Sequence, residues 1–367
     1  MPDPDSVSNN SSLLFSSDDE HSSGHYDVDD LRGEDDDYFQ QCYICGYAFY
    51  LNRLSPDAHD LNHVTFRHPK KGICKAQKLE NLDMYGDYQS LWWMPRRMIL
   101  HNIKNDGCQI SGVTIPRINY GTFFVPWKKT DGLIYEPRTS EQRRKVVMPM
   151  VKVMIDEEGH TLMSGYEDDI SHDWMGYPVH ARCWELLMHH KLGDIANKNL
   201  KVLMLALIQR HEENSWRRVC GMPDEWFGDP VRTECVKTAL EQTTQKRTRN
   251  KGKIFQPKGT PKVRESMLLL LPWEILNMIF GFLPSQGVIN VQRALHLTLD
   301  DDFWHSRIST KIFHEVKTPT PRIDWKHLCL KLERRLEKSE ALATRQRLLA
   351  CLDEIYSLCS TTQYESN

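Results

Sequence analysis

The sequence predicts an α+β chain: a mixed strand-and-helix N-terminal region, then a small all-helical unit and further C-terminal helices. Three observations lead there. Short alternating apolar runs such as Gly121-Thr122-Phe123-Phe124-Val125-Pro126-Trp127 suggest strands in the first part. Apolar stripes of helical period dominate after residue 265. Between the two, residues 244–264 carry eight Lys/Arg, no acidic residue, two Pro and two Gly, a composition that marks a boundary.

The chain has 367 residues, 40% of them hydrophobic. At roughly 100–200 residues per domain this is material for two or three modest cores. Its 47 basic and 50 acidic side chains nearly cancel, but not locally. Residues 1–40 hold twelve Asp/Glu against one Arg, a charge of −11, which leaves +8 on residues 41–367. Residues 1–37, with the blocks Asp18-Asp19-Glu20 and Glu34-Asp35-Asp36-Asp37, read as a disordered acidic tail. The first residues have no basic n-region and no apolar h-region, so an intracellular protein of cytoplasm or nucleus is expected. The longest apolar runs, Val202 to Ile208 and Met267 to Leu271, fall far short of the ~18–20 residues that span a bilayer, and no membrane partner is expected. Ten cysteines in such a chain should be reduced thiols, and an ordered cluster among them points to metal before disulfides.

Residues 38–230 read as an α+β recognition domain containing a Cys/His set. Cys42-Tyr43-Ile44-Cys45-Gly46 has the form of a zinc knuckle: two thiolates can share one metal in a tight turn, and Gly46 supplies the left-handed backbone such turns need. Val146 to Ile155, Asp156 to Gly159 and His160 to Met163 read as a hairpin. His180 to His190 is a predicted helix ending before Gly193 as its C′ glycine, and Leu200 to His211 a buried helix, apolar on nearly every side. In His180-Ala181-Arg182-Cys183, positions i and i+3 share one helix face, so Cys42, Cys45, His180 and Cys183 make a full tetrahedral set. Knuckle plus helix start is a treble-clef arrangement. A more local set, His63, His68 and Cys74, competes with His180/Cys183, and buried thiols without any metal are the plain structural alternative. A site with four protein ligands leaves no open position, so the expected role of zinc is structural.

Residues 231–264 read as a basic linker and 265–310 as a compact helical domain. Leu271-Pro272-Trp273-Glu274-Ile275-Leu276-Asn277-Met278-Ile279-Phe280-Gly281-Phe282-Leu283-Pro284 has start and stop chemistry. Pro272 suits the first helical position, Glu274 favours the positive end of the dipole, and Pro284 stops the helix. Ile275, Leu276, Ile279, Phe280 and Leu283 form one wide stripe, and Ser285 is placed to cap a second helix. In the C-terminal helices of 311–367, Trp325, Leu328, Leu332 and Leu336 line one face, and Leu349, Leu352, Ile355 and Tyr356 another.

The pattern Leu-Pro-x-Glu-Ile-Leu-x-x-Ile-Phe-x-x-Leu-Pro from Leu271, followed by Phe303-Trp304, closely resembles an F-box. Val291 to Leu297, Asp302 to Arg307 and Ile323 to Leu328 resemble the F-box region of filamentous-fungal proteins, over roughly residues 266–330. The Cys-x-x-Cys at Cys42 and the His-x-x-Cys-Trp at His180 are also similar to such proteins. Many F-boxes carry Cys or Ser followed by Lys/Arg and Trp where this chain has Gln292-Arg293-Ala294. The resemblance implies a three-helix unit that docks a Skp-type adaptor of a cullin–RING (SCF-type) ubiquitin ligase while the rest of the chain binds a target protein. It implies that Leu271, Pro272, Ile275, Leu276, Ile279, Phe280 and Leu283 supply the adaptor-facing and core surface.

No Gly-rich phosphate loop, Gly-x-Ser-x-Gly elbow or His-Glu-x-x-His helix occurs, so a non-catalytic protein is expected. The run Lys246-Arg247-Thr248-Arg249-Asn250-Lys251-Gly252-Lys253 opens the alternative of a nuclear zinc-module protein that binds nucleic acid or regulates. No finger-type base-reading helix accompanies it, and nucleic acid is not the expected partner.

Overall fold

The structure, a computed structural model, describes residues 41–47, 49, 73–81, 92–115, 122–134, 150–154, 174–213, 228–250, 267–317 and 323–365. The acidic tail, His63, His68 and the Asp156–Met163 half of the expected hairpin lie outside the described residues. The fold is α+β, as the sequence predicts.

The strands are β1 (Ile73–Lys75), β2 (Arg96–Asn102), β3 (Cys108–Ile110), β4 (Val113–Thr114), β5 (Thr122–Pro126), β6 (Asp131–Leu133), β7 (Met150–Met154) and β8 (Trp174–His180). They form one sheet of order β1-β6-β4-β2-β8-β7-β5, with β3 on β2. Pairing is antiparallel except β4 with β6 and β7 with β8. At the centre β2 and β8 pair from Arg96 opposite His180 to Asn102 opposite Trp174. Alternation along β2 divides its side chains: Met98 and Leu100 meet Val125 on one face, and Ile99 meets Tyr177 and Val179 on the other.

Helices cover that second face. A short α1 (Ala76–Leu79) follows β1, and α2 (Ala181–His189), α3 (Leu192–Lys198) and α4 (Leu200–Glu213) follow β8. The two predicted helices are there, but Gly193 is not a C′ residue. It opens α3, where a Cβ would stand 2.7 Å from the Met188 carbonyl oxygen, so its role is close approach. Leu203, Met204, Ala206 and Leu207 of α4 are buried with Leu186, Leu187, Cys42 and Ile44 in a first core.

The second core is helical throughout. It joins α5 (Glu234–Asn250), α6 (Trp273–Phe282), α7 (Ser285–Ala294), α8 (Asp301–Ser306) and α9 (Trp325–Leu336) around Phe280, Val288, Trp304 and Leu328. Helix α5 takes up 234–250 of the expected linker at 231–264, whose remaining residues 251–264 lie outside the described residues. Val236, Ala239 and Thr243, at helical spacing, are buried among the charges, so a basic composition hides one apolar face. Asp300 caps α8 through the Phe303 amide at 2.8 Å, and Asp324 caps α9 through the His327 amide at 3.0 Å. Ser285 does not cap α7. Its own amide donates to the Glu333 carboxylate of α9 at 3.0 Å, and its hydroxyl lies 3.2 Å from Cys329 Sγ.

The last helix, α10 (Glu340–Glu365), belongs to both cores. Leu342 is buried in the second, while Leu348, Leu349, Leu352, Ile355 and Cys359 are buried in the first. Between them Arg345 is fully buried, and its guanidinium donates to the carbonyls of Pro230, Val231 and Ile312 and to both Glu315 oxygens. Among the described residues no helix is long and apolar enough to cross a membrane.

Candidate metal centre and apolar helix face

Cys42, Cys45, His180 and Cys183 come together, and their ligand atoms all lie within 4.8 Å of one another. All four residues are buried. His180 Nδ1 is 3.3 Å from Cys45 Sγ and 3.7 Å from Cys183 Sγ, and the His180 amide donates to Cys42 Sγ at 3.3 Å. Such a group can hold a metal ion.

Local chemistry builds each half. In the knuckle the Gly46 amide donates to the Cys42 carbonyl at 2.7 Å, and Gly46 has φ +75°, the left-handed backbone expected of it. The Cys42 amide donates to the Tyr47 carbonyl at 2.8 Å, closing the turn, and the Tyr43 amide donates to Pro178 of β8 at 3.0 Å, docking it. The second half is the junction of β8 and α2. His180 is the last residue of the strand, and one helical turn sets Cys183 beside it.

Electrostatics favour a cation. Burial opposes charge on Cys42, but side-chain hydrogen bonds from Cys183 and Cys45 and the nearby His180 outweigh it and hold this thiol below the ordinary range. Burial pushes Cys45 and Cys183 up. A bound divalent ion would favour the ionised form of all three thiols. The His180 ring is clamped by Phe49 at 4.4 Å and Trp92 at 5.7 Å between centroids, and the Arg96 guanidinium lies 5.7 Å from the Phe49 centroid. Phe49, Trp92 and Arg96 are residues that spacing rules do not find. The nearest hint is the β2–β8 register that puts Arg96 opposite His180, and register is not legible in the sequence.

Of the competing set, Cys74 packs in a separate small cluster with Ala76 and Leu79. Burial raises its pKa to about 11, which keeps it a neutral thiol.

The wide stripe on α6 splits in two. Leu276 and Phe280 are 6% and 1% exposed, sealed in the second core, and Leu271 and Leu283 pack partly against it. Of the seven residues expected to supply the adaptor-facing and core surface, Leu276 and Phe280 thus belong to the core. Pro272, Ile275 and Ile279 are exposed, and they are joined by Trp273 and by Met278 and Phe282, 62% and 87% exposed, which the stripe did not include. Met267 and Leu270, in the 3-10 turn before the helix, are also exposed. An apolar helix that buries only one side leaves the other for a neighbour.

A separate cleft of about 640 Å³ opens between the β1–β6 edge and helices α2 and α3, lined by Lys75, Arg97, Lys129, Trp184, Met188 and Asn197 among others. Comparison of the chain with family models, with curated proteins and with solved structures finds no match.

Proposed function

We propose that this chain is a non-catalytic receptor of the F-box type, in which α6 and its neighbours dock a Skp-type adaptor of a cullin–RING ubiquitin ligase and the sheet domain captures a target protein. The observation that carries the reading is the outer face of α6. Trp273, Ile275, Met278, Ile279 and Phe282 are apolar and exposed on the segment whose sequence resembles the F-box. A helix whose inner side already anchors the core has no folding reason to keep five such residues outside. The receptor acts by geometry: it holds a target within reach of a ubiquitin-loaded enzyme supplied by other subunits. The cleft beside Trp184, about 640 Å³, is within the size of ligand sites and mixes apolar walls with Lys75 and Lys129, which suits a peptide segment.

The metal is read as zinc. Three thiolates and one imidazole are its usual structural donors, and four protein ligands leave no place for a reacting water. Cys42, Cys45, His180 and Cys183 would hold it, and zinc would supply cross-linking of two chain segments.

Full-length protein co-purified with a Skp-type adaptor, beside an Ile279→Glu variant with unchanged circular dichroism, tests the reading. Retention of the wild type and loss of the variant support it; failure of the wild type to bind removes it. A nuclear nucleic-acid-binding protein is the second reading, favoured by a groove of about 260 Å³ lined by Lys331, Arg334, Arg335 and Lys338. Salt-dependent retention on DNA without adaptor binding would select it.

A further inference from the structure

Two chains of contacts lead from the metal centre to α10, the helix that both cores share. One starts at the knuckle. The Ile44 carbonyl, between the two cysteines, accepts from Arg210 of α4 at 3.0 Å, and the same guanidinium donates to Glu354 of α10 at 3.0 Å. Tyr43 stacks on His211 with centroids 4.4 Å apart, so α4 grips the knuckle by side chain and backbone. The other starts at the His180–Cys183 turn that begins α2. At the far end of α2, His190 Nε2 lies 3.2 Å from Asp353 Oδ1 of α10 and its ring meets Tyr356 edge-on at 6.1 Å. Asp353 also pairs with Lys311, which precedes the Glu315 that holds Arg345.

Between these contacts, Leu348, Leu349, Leu352 and Ile355 fill the first core against the residues of the knuckle. The knuckle is a turn of five residues, tied through its backbone to Pro178 of β8 by the Tyr43 amide and to Arg210 of α4 by the Ile44 carbonyl. A turn that short is not self-supporting, and a metal on its cysteines would add a strong cross-link to those ties.

We infer that the metal governs the joint between the two cores: with metal bound, the knuckle and α2 hold α10 down through Arg210–Glu354 and His190–Asp353, and loss of metal releases residues 348–359 while the second core stays folded. This rests on the reading of Cys42, Cys45, His180 and Cys183 as a metal site, and it adds regulation to the receptor. Metal occupancy would set how firmly a captured target is carried on the adaptor-bound unit, through the Arg345 network that continues α10 into the second core.

Hydrogen exchange of the full chain, with metal content measured in the same samples, tests it. Removing a bound metal by chelation should raise exchange across 348–359 by about tenfold or more, with exchange across 276–332 unchanged. An Arg210→Gln variant should keep its metal and show a smaller rise in the same segment. Metal that binds stoichiometrically but whose removal leaves 348–359 protected overturns the joint while the metal site stands. Loss of protection in both cores together overturns it too, since the metal would then hold the whole chain. Absence of any bound metal in the purified chain overturns both the site and the joint. Unchanged protection in Arg210→Gln overturns the knuckle route.

Discussion

The first core gathers residues from Cys42 to Cys359, whereas the second is assembled almost wholly from consecutive helices between Val236 and Leu342. One is joined over long sequence distances by apolar packing and by point links, a four-residue Cys/His cluster and buried arginines such as Arg182, whose guanidinium donates to Asp229 at 2.8 Å. The other is spread over many modest apolar contacts among neighbours. Long-range closure costs chain entropy that local packing does not repay, so a non-local core leans on a few strong cross-links and a local one does not. The two should therefore fail differently: the first abruptly at single residues, the second in proportion to apolar volume removed.

The largest effect belongs to the Cys/His cluster. If the cluster holds structural zinc as proposed, Cys183→Ser should lose it and destabilise the first core by about 5 kcal/mol or more, since such sites contribute folding energy outright. Calorimetry should show the transition of that core falling while that of the helical core stays. Equal loss in both would remove the distinction.

Next comes Arg345→Met, at about 3–5 kcal/mol, because it strands the carbonyls of Pro230, Val231 and Ile312 and leaves Glu315 without its partner. Since α10 enters both cores, both transitions should drop. A change confined to one places the joint elsewhere. Phe280→Ala should cost about 3–4 kcal/mol through the cavity it leaves beside Phe303 and Trp273, lowering the second transition alone with metal content intact.

Acid should reach the joint before either interior. His314 stacks on His189 with centroids 4.1 Å apart, and burial lowers its pKa from 6.5 to about 4, against the opposing pull of Glu315. The folded state thus prefers the neutral ring. Stability from this group is complete above about pH 6.5 and is lost as pH falls through about 4, up to about 3 kcal/mol. His314→Gln should flatten the pH dependence of unfolding between those values; an unchanged slope would assign it to other groups.

How much of this was legible follows the same division. Local signals held: Gly46 in the left-handed conformation, the strand Thr122–Pro126, the i, i+3 pair His180/Cys183 and the buried faces of α9 and α10. Each depends on residues a few positions apart. What failed needed distant partners. The stretch after residue 231 reads as a linker because its charges outnumber Val236, Ala239 and Thr243, whose burial comes from packing on distant helices such as α9. Ser285 looked like a cap until Glu333, from another helix, took that role. That Phe49 and Trp92 clamp His180 is a matter of tertiary packing, with no spacing to announce it.

The smallest effect on folding should come on the outer side of α6, which the sequence alone does not separate from the inner one. Met278 is 62% exposed and Ile279 36%, so Met278→Ser should stay within about 0.5 kcal/mol and Ile279→Glu should cost about 1 kcal/mol. Leu276→Ala, one position earlier, removes buried volume and should cost about 2–3 kcal/mol. If α6 docks a partner, the order reverses for binding. The two outer changes should abolish adaptor retention in chains that stay folded, while a Leu276→Ala chain that still folds should bind. Equal binding by all three variants would make the outer face of α6 an ordinary patch of exposed apolar surface, and the adaptor reading would have no structural support left.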